Sequence, residues 1–247
     1  MTTRFGALLG IAGALLLWHG VGTLLDAPLV LPLPGAVAHR LIHMPIAPLL
    51  GDTLSSLGKV AAVLALVVLG GVPAGVVLGL RPGLLAAVRP VLVALQAMPV
   101  VSWLALVVFS LGIGWRGPVL ISALAFLPGA IFTTVQGVRT LDEGLLEMAA
   151  LYKIPRKRVF RDILLGSLRP FVGAVVDATA GGAWKAVLVT EYLCGDTGLG
   201  VRMAWARQTV DVEGVYALSV LAVILGIATE QAVRRIMDRG WGSWQLS

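Results

Sequence analysis

The chain has 247 residues, 58% of them hydrophobic and only 13% charged, with a mean hydropathy of +0.93 and a net charge of +6. A soluble domain carries about a quarter of its residues charged, so this composition argues against a soluble globular protein. The cations fall in short loops between apolar runs with no aromatic–basic interleaving, which argues against nucleic-acid binding, and the single cysteine, Cys194, excludes an internal disulfide.

A helix crosses a bilayer with about 20 mostly apolar residues. Six stretches qualify: Phe5–Leu25, Val60–Leu80, Pro90–Ile113, Pro118–Val138, Phe171–Leu193 and Tyr216–Val233. They are apolar all round, unlike the one-sided stripe of a soluble helix. Pro73, Pro99, Pro128 and Gly181–Gly182 interrupt them, which membrane helices tolerate where neighbours or trapped water satisfy the freed backbone groups. The first stretch carries Arg4 but no small-x-small cleavage site closes it, so it reads as a retained span rather than a signal peptide.

Between the first two spans, Leu31–Pro34 favours extended backbone. Ala36–Met44 and Ile46–Leu57 then read as interfacial helices. His39 and His43 stand four residues apart, a metal-ligand spacing, but no third ligand is near, so no metal site is expected.

Six crossings put both termini on one side. That side gathers Arg4, Arg81, Arg89, Arg139, Lys153, Arg156, Lys157, Arg158, Arg161, Arg169, Arg234, Arg235 and Arg239. The other holds only Arg40, Lys59, Arg116, Arg202 and Arg207. The positive-inside rule therefore places both termini in the cytoplasm.

The longest cytoplasmic loop, Arg139–Pro170, separates the fourth and fifth spans. Thr140 and Glu143 have the spacing of a capping box. The spacing predicts a helix over Leu141–Tyr152 that stops near Pro155, with Leu141, Leu145, Met148 and Tyr152 on one apolar stripe. Ala149 and Ala150 offer small surfaces for close approach. A second helix is expected over Lys157–Leu168, with Val159, Phe160, Ile163 and Leu164 inward. A loop that only fixes topology needs no capped helix; a short helix with an apolar stripe on the cytoplasmic face suggests a docking element.

This loop resembles the "EAA" motif of binding-protein-dependent ABC importer permeases: Glu-Ala-Ala, three residues, Gly, nine residues, Ile, one residue, Leu-Pro. Glu147, Ala149, Ile163 and Leu165 stand at matching positions; Met148, Lys153 and Gly166 depart from Ala, Gly and Pro. Leu31–Pro34, Met98-Pro99, Phe109 to Gly114, Ala183-Trp184 to Glu191 and Gly198-Leu199-Gly200 are similar to segments of the nitrate/sulfonate/taurine-type branch.

The resemblance implies an all-α membrane protein with six transmembrane helices, the type I ABC importer permease fold, and a coupling helix between helices 4 and 5. It implies an N-terminal helix and external segment over 1–50, a permease core over 51–238 and a cytoplasmic tail over 239–247. Glu147, Met148, Ala149, Ala150, Leu151, Tyr152, Lys153, Ile154 and Pro155 would meet the ATPase. The implied partners are a second permease copy in a homodimer, two ATP-binding subunits, an external substrate-binding protein and the lipid bilayer. ATP and Mg would be bound by the partner ATPase, with no cofactor in this chain, and the location would be a bacterial inner membrane. The chain has no Gly-x-x-x-x-Gly-Lys-Ser/Thr loop, so the ATPase must come in trans. Gly195-x-x-Gly198-x-Gly200 lies outside any strand–helix context and reads as a flexible external loop.

Ionisable groups inside spans are costly and point to function. Asp177, Lys185 and Glu191 fall in the fifth span and Glu230 near the inner end of the sixth. Asp177 and Lys185 sit about 80° apart around a helix. Met98, Asp177, Trp184 and Lys185 are the candidates for lining a translocation path, with Lys185 attracting an anionic solute. The competing expectation is that Lys185 pairs internally with a carboxylate; Glu191 and Glu230 are expected to reach an interface. Trp18, Trp103, Trp184 and Trp205 read as packing or belt residues rather than a substrate box. A membrane-embedded enzyme would need convergent nucleophiles, metal ligands or paired acids, which three scattered histidines and one cysteine do not supply. An ion-coupled transporter or channel acting alone would leave the docking loop without a role.

Overall fold

The computed structural model describes residues 2–240, and these form helices and turns with no strand among them. In chain order the helices are α1 (Thr2–Leu25), α2 (Pro34–Ile42), α3 (Ile46–Leu80), α4 (Pro82–Ala97), α5 (Val100–Leu111), α6 (Arg116–Arg139), α7 (Glu143–Leu151), α8 (Arg156–Cys194), α9 (Leu199–Gln208) and α10 (Val212–Gly240). The expected tail 239–247 lies outside the described residues from 241 onward.

By length and composition, α3, α6, α8 and α10 can each cross a membrane. The expected third span is not one straight helix: α4 and α5 meet at 96° and make a fifth span only as a bent pair. Pro99 is the cause. It disfavours helical backbone at the residue before it, and Met98 is extended at φ −73° and ψ 123°. Pro128 and Pro170 instead lie inside α6 and α8 without ending them. Pro73 follows a π-helical turn, Val67–Gly71, where the hydrogen-bond ladder is already widened. Helix α1 touches the rest of the chain mainly through α2.

Two boundaries differ from expectation. The first expected interfacial helix forms as α2, but the second one does not stand apart: Ile46 runs without a break into α3. Lys59 therefore lies inside a long helix and not in an external loop. The expected Lys157–Leu168 helix likewise continues into the fifth span as one 39-residue helix, α8, through a π-helical turn at Val159–Leu164. Within it Leu164 and Leu168 are buried, whereas Phe160 faces outward.

The core is built around α8, which packs against α3, α6, α9 and α10. Glycines let the helix axes approach. A Cβ added at Gly75 of α3 would lie 2.5 Å from the Thr134 Cβ of α6, and one at Gly79 would lie 2.7 Å from the Val138 Cβ. With Gly71 they form a four-residue repeat of the small-xxx-small kind that draws membrane helices together. On the other side of α6, Phe126 fills the space left by Gly182 of α8.

Candidate functional site

The loop after α6 folds as a short displayed helix, α7. Its cap is not Thr140. That residue is still tied to α6, its N–H bonded to the Gln136 carbonyl at 3.0 Å and its hydroxyl to that of Gly137 at 3.1 Å. Asp142 has the extended backbone a cap requires, and its carboxylate accepts the Gly144 N–H at 2.8 Å.

The other end of α7 explains Lys153. Its φ is +52°, in the left-handed region that favours glycine. Lys153 N–H donates to the Ala150 carbonyl at 3.1 Å and Ile154 N–H to that of Ala149 at 2.9 Å. These two bonds are the Schellman pattern of a helix C-terminus. Lys153 thus keeps the turn that glycine makes easy in the family motif. Gly166, where the motif has proline, has open space around it and ends no helix.

The stripe on α7 faces outward. Leu151 and Tyr152 are 78% and 72% exposed, and Leu145 and Met148 are also exposed. Glu147, Ala150 and Pro155 share this exposure, and Ile154 lies at its edge. Ala149, expected on the docking surface, is instead buried inside the chain, and Leu141 packs partly buried against Val138, Leu164 and Leu168. The loop therefore presents an apolar patch held by a cap at each end.

The charges within the spans sort differently from expectation. Glu191 reaches no interface: it is 1% exposed, and its Oε1 lies 2.8 Å from the Lys59 Nζ. The Ser56 hydroxyl donates to the same carboxylate at 2.8 Å and the Gly200 N–H at 3.0 Å. Ser56 Oγ accepts the Leu199 N–H at 2.9 Å, and Asp52 accepts the Gly198 N–H at 3.3 Å. The first amides of α9 are thus held by a carboxylate, a hydroxyl and a carboxylate, where negative charge suits a helix N-terminus. The expected flexible loop is pinned, and Gly198 permits it with φ +117°. Sequence reasoning missed this cluster; the signal was a lysine thirteen residues into an apolar helix opposite a buried glutamate.

Asp177 pairs with Arg234 of α10 at 3.4 Å, and Arg234 also holds Glu230 at 2.9 Å. The expected Asp177–Lys185 or Lys185–Glu pair is not formed: Lys185 is exposed and makes no ion pair among the described residues. Trp184 is buried in the core near Gly226, its indole N–H without a hydrogen-bond partner in the described residues. Met98 is exposed at the bend between α4 and α5.

At the opposite end of the helices from α7, Arg40 binds Asp211 and Arg202 binds Asp52. The Arg40 guanidinium, through hydrogen bonding, holds the Asp211 carboxyl below the usual carboxylate value. His39 and His43 stack with ring centroids 4.0 Å apart.

The family model described as "Binding-protein-dependent transport system inner membrane component" matches residues 71–242. A probable ABC transporter permease protein of Brucella abortus is 26% identical over 87% of this chain and 86% of its own length. The taurine transport system permease protein TauC of Escherichia coli is 24% identical over 92% of this chain and 86% of its own length. Among solved structures, the inward-facing MetNI methionine ABC transporter superposes with a TM-score of 0.64 at 19% identity, covering 78% of this chain and 96% of that one.

Proposed function

Since the chain belongs to the family of binding-protein-dependent transport system inner membrane components, we propose that it spans the membrane six times as half of an importer's translocation path. It forms a homodimer, takes its energy from two separate ATP-binding subunits and receives solute from an external binding protein. The chain itself is non-catalytic; ATP and Mg sit on the partner ATPase. Both termini face the cytoplasm. The core over 51–238 carries the path, with the region 1–50 at its edge.

The observation that supports this most is the outward apolar face of α7. A patch of Met148, Leu151 and Tyr152, displayed in water beside Glu147 and Lys153, is what a partner groove covers. Fixed at both ends, the helix transmits a push instead of yielding to it, as a two-state machine driven from one side requires. Ala150, Ile154 and Pro155 complete the contact, with Ala149 as its inner support. Along the path we place Met98 at the bend, Asp177 and Lys185 on α8, and Trp184 behind them. The taurine relative motivates a solute with a small anionic group.

Co-purification tests the reading. The chain expressed with its genomic ATPase and reconstituted in vesicles retains that ATPase and shows ATP-dependent uptake. Glu147→Lys combined with Ala150→Asp releases the ATPase and abolishes uptake. Solute flux by the chain alone, or an ATPase still bound and coupled in that double variant, overturns it.

A further inference from the structure

Three arginines gather at the end of the helices that carries α7. Arg81 lies at the turn between α3 and α4, Arg139 closes α6, and Arg169 lies on α8 just before the apolar stretch from Phe171. Two close helix contacts bring them together. A Cβ added at Gly79 of α3 would lie 2.7 Å from the Val138 Cβ of α6. One added at Gly137 of α6 would lie 2.6 Å from the Phe171 Cγ and 2.9 Å from the Leu168 Cδ2 of α8. Arg81 comes two residues after Gly79, Arg139 directly after Val138 and Arg169 directly after Leu168. Each arginine thus stands within about 3 Å of helical rise of such a contact, and the three share one level on adjacent helices.

All three are exposed, and none forms an ion pair among the described residues. At the opposite end, Arg40, Lys59 and Arg202 are each paired with an acid. The level of the cluster is that of a membrane boundary. Arg81 and Arg139 directly follow the apolar stretches that end at Leu80 and Val138, and Arg169 comes two residues before the one that begins at Phe171. Hydrocarbon gives way to headgroups at such a boundary. Helix α7 starts four residues beyond Arg139, farther out along the chain. Around the arginines, Leu80, Leu84 and Leu165 are exposed. Guanidinium groups bind phosphate oxygens in a bidentate way, and exposed leucines suit an acyl chain.

We propose that Arg81, Arg139 and Arg169 form a site for the phosphate headgroup of an acidic phospholipid, whose acyl chain lies against Leu80 and Leu84. Three guanidinium groups at one level repel one another, and an anionic headgroup among them reverses the sign of the interaction. An acidic lipid surface attracts each nearby basic residue; a cluster on three helices adds a fixed place for one headgroup. A bound lipid then bridges α3, α6 and α8 at the level from which α7 projects. The site needs only that these helices cross a bilayer, for which each is long and apolar enough; it depends on no importer partner.

The test uses the full chain in a neutral detergent. It is titrated with phosphatidylglycerol or with zwitterionic phosphatidylcholine of the same acyl chains, and bound lipid is counted by native mass spectrometry. Phosphatidylglycerol is expected to be retained in preference. Arg81→Gln, Arg139→Gln and Arg169→Gln together weaken its retention about a hundredfold, from about fivefold for each basic residue. Arg156→Gln, Lys157→Gln and Arg158→Gln together remove as much charge outside the cluster and leave retention unchanged. Equal binding of the two lipids overturns the proposal. So does equal weakening by the two triple variants, which marks general charge attraction without a site. A second readout needs no variant: phosphatidylglycerol raises the unfolding midpoint of the unaltered chain by mass action, and inorganic phosphate does not. No rise, or one matched by inorganic phosphate, overturns the lipid assignment. Displacement of the lipid by the partner ATPase gives the surface to that subunit and overturns it too. Failure to retain the ATPase at all bears on the importer reading alone.

Discussion

The ammonium of Lys59 and a carboxylate oxygen of Glu191 lie 2.8 Å apart with both side chains almost sealed from solvent. The pair joins α3 to α8, and through Gly200 and Ser56 it fixes the start of α9. Breaking a buried pair from one side leaves an uncompensated charge and costs about 3–5 kcal/mol. Lys59→Met is therefore expected to destabilise the protein by that amount, and Glu191→Gln comparably. The double variant should cost clearly less than the sum, because the two groups share one interaction. Thermal unfolding in detergent measures all three. Additive effects, or a Lys59→Met cost below about 1 kcal/mol, would show the pair is not a stabilising contact.

Lys153 holds a left-handed backbone at the end of α7. A residue with a Cβ costs about 1 kcal/mol there relative to glycine. Lys153→Gly is expected to strengthen the turn by that amount, and Lys153→Val to weaken it, since a β-branched residue tolerates positive φ least. Hydrogen exchange at the Ile154 amide, bonded to the Ala149 carbonyl, reports the turn directly. Faster exchange in the glycine variant would refute the account. ATPase binding should survive Lys153→Gly, because the exposed apolar face is unchanged.

What the sequence revealed follows from where its signal was strong. The fourth, fifth and sixth spans are legible because they are long and apolar all round, and α6, α8 and α10 contain them. Helix α7 is legible from its stripe, but its cap falls at Asp142, two residues late, because Thr140 remains bonded to α6. The break at Met98-Pro99 was signalled by proline, yet Pro128 and Pro170 give the same signal without breaking their helices. Neighbours decide, and a sequence window does not contain them. Hydropathy trims charged residues from the ends of spans, which puts Lys59 in a loop rather than in α3. Its partner is 132 residues away, a distance no local pattern bridges.

The Gly71, Gly75 and Gly79 repeat sets the distance between α3 and α6. At Gly75 an added Cβ would meet the Thr134 Cβ at 2.5 Å and the Ile131 carbonyl oxygen at 2.8 Å. Backbone cannot rotate away as a side chain can, so the helices must part. Gly75→Ala is expected to cost about 1–3 kcal/mol, the usual range for overpacking. Gly83→Ala, at a position with open space, should be neutral by comparison. Unfolding midpoints of the two variants decide the matter, and equal midpoints would show that the glycine contact does not set the helix spacing.

Acid sensitivity should trace in part to Asp211. Its Oδ1 accepts the Gly214 N–H at 2.8 Å at the start of α10, and the Arg40 Nε donates to its Oδ2 at 3.1 Å. The Arg40 hydrogen bond, ahead of the opposing effect of burial, holds the carboxyl below its ordinary value of 3.8. The folded state thus binds that proton less readily than the unfolded chain. The resulting stabilisation is complete above the unfolded value, about pH 4, and fades as pH falls through the lowered one. Arg40 is shifted upward by the same contact and stays charged throughout. Asp211→Asn keeps an acceptor for the Gly214 cap but loses the charge, so it should lower stability at neutral pH and flatten the acid limb. The check is the unfolding midpoint of both proteins from about pH 7 to about pH 3. A variant whose midpoint falls as steeply as that of the unaltered chain would assign the acid limb to other carboxylates.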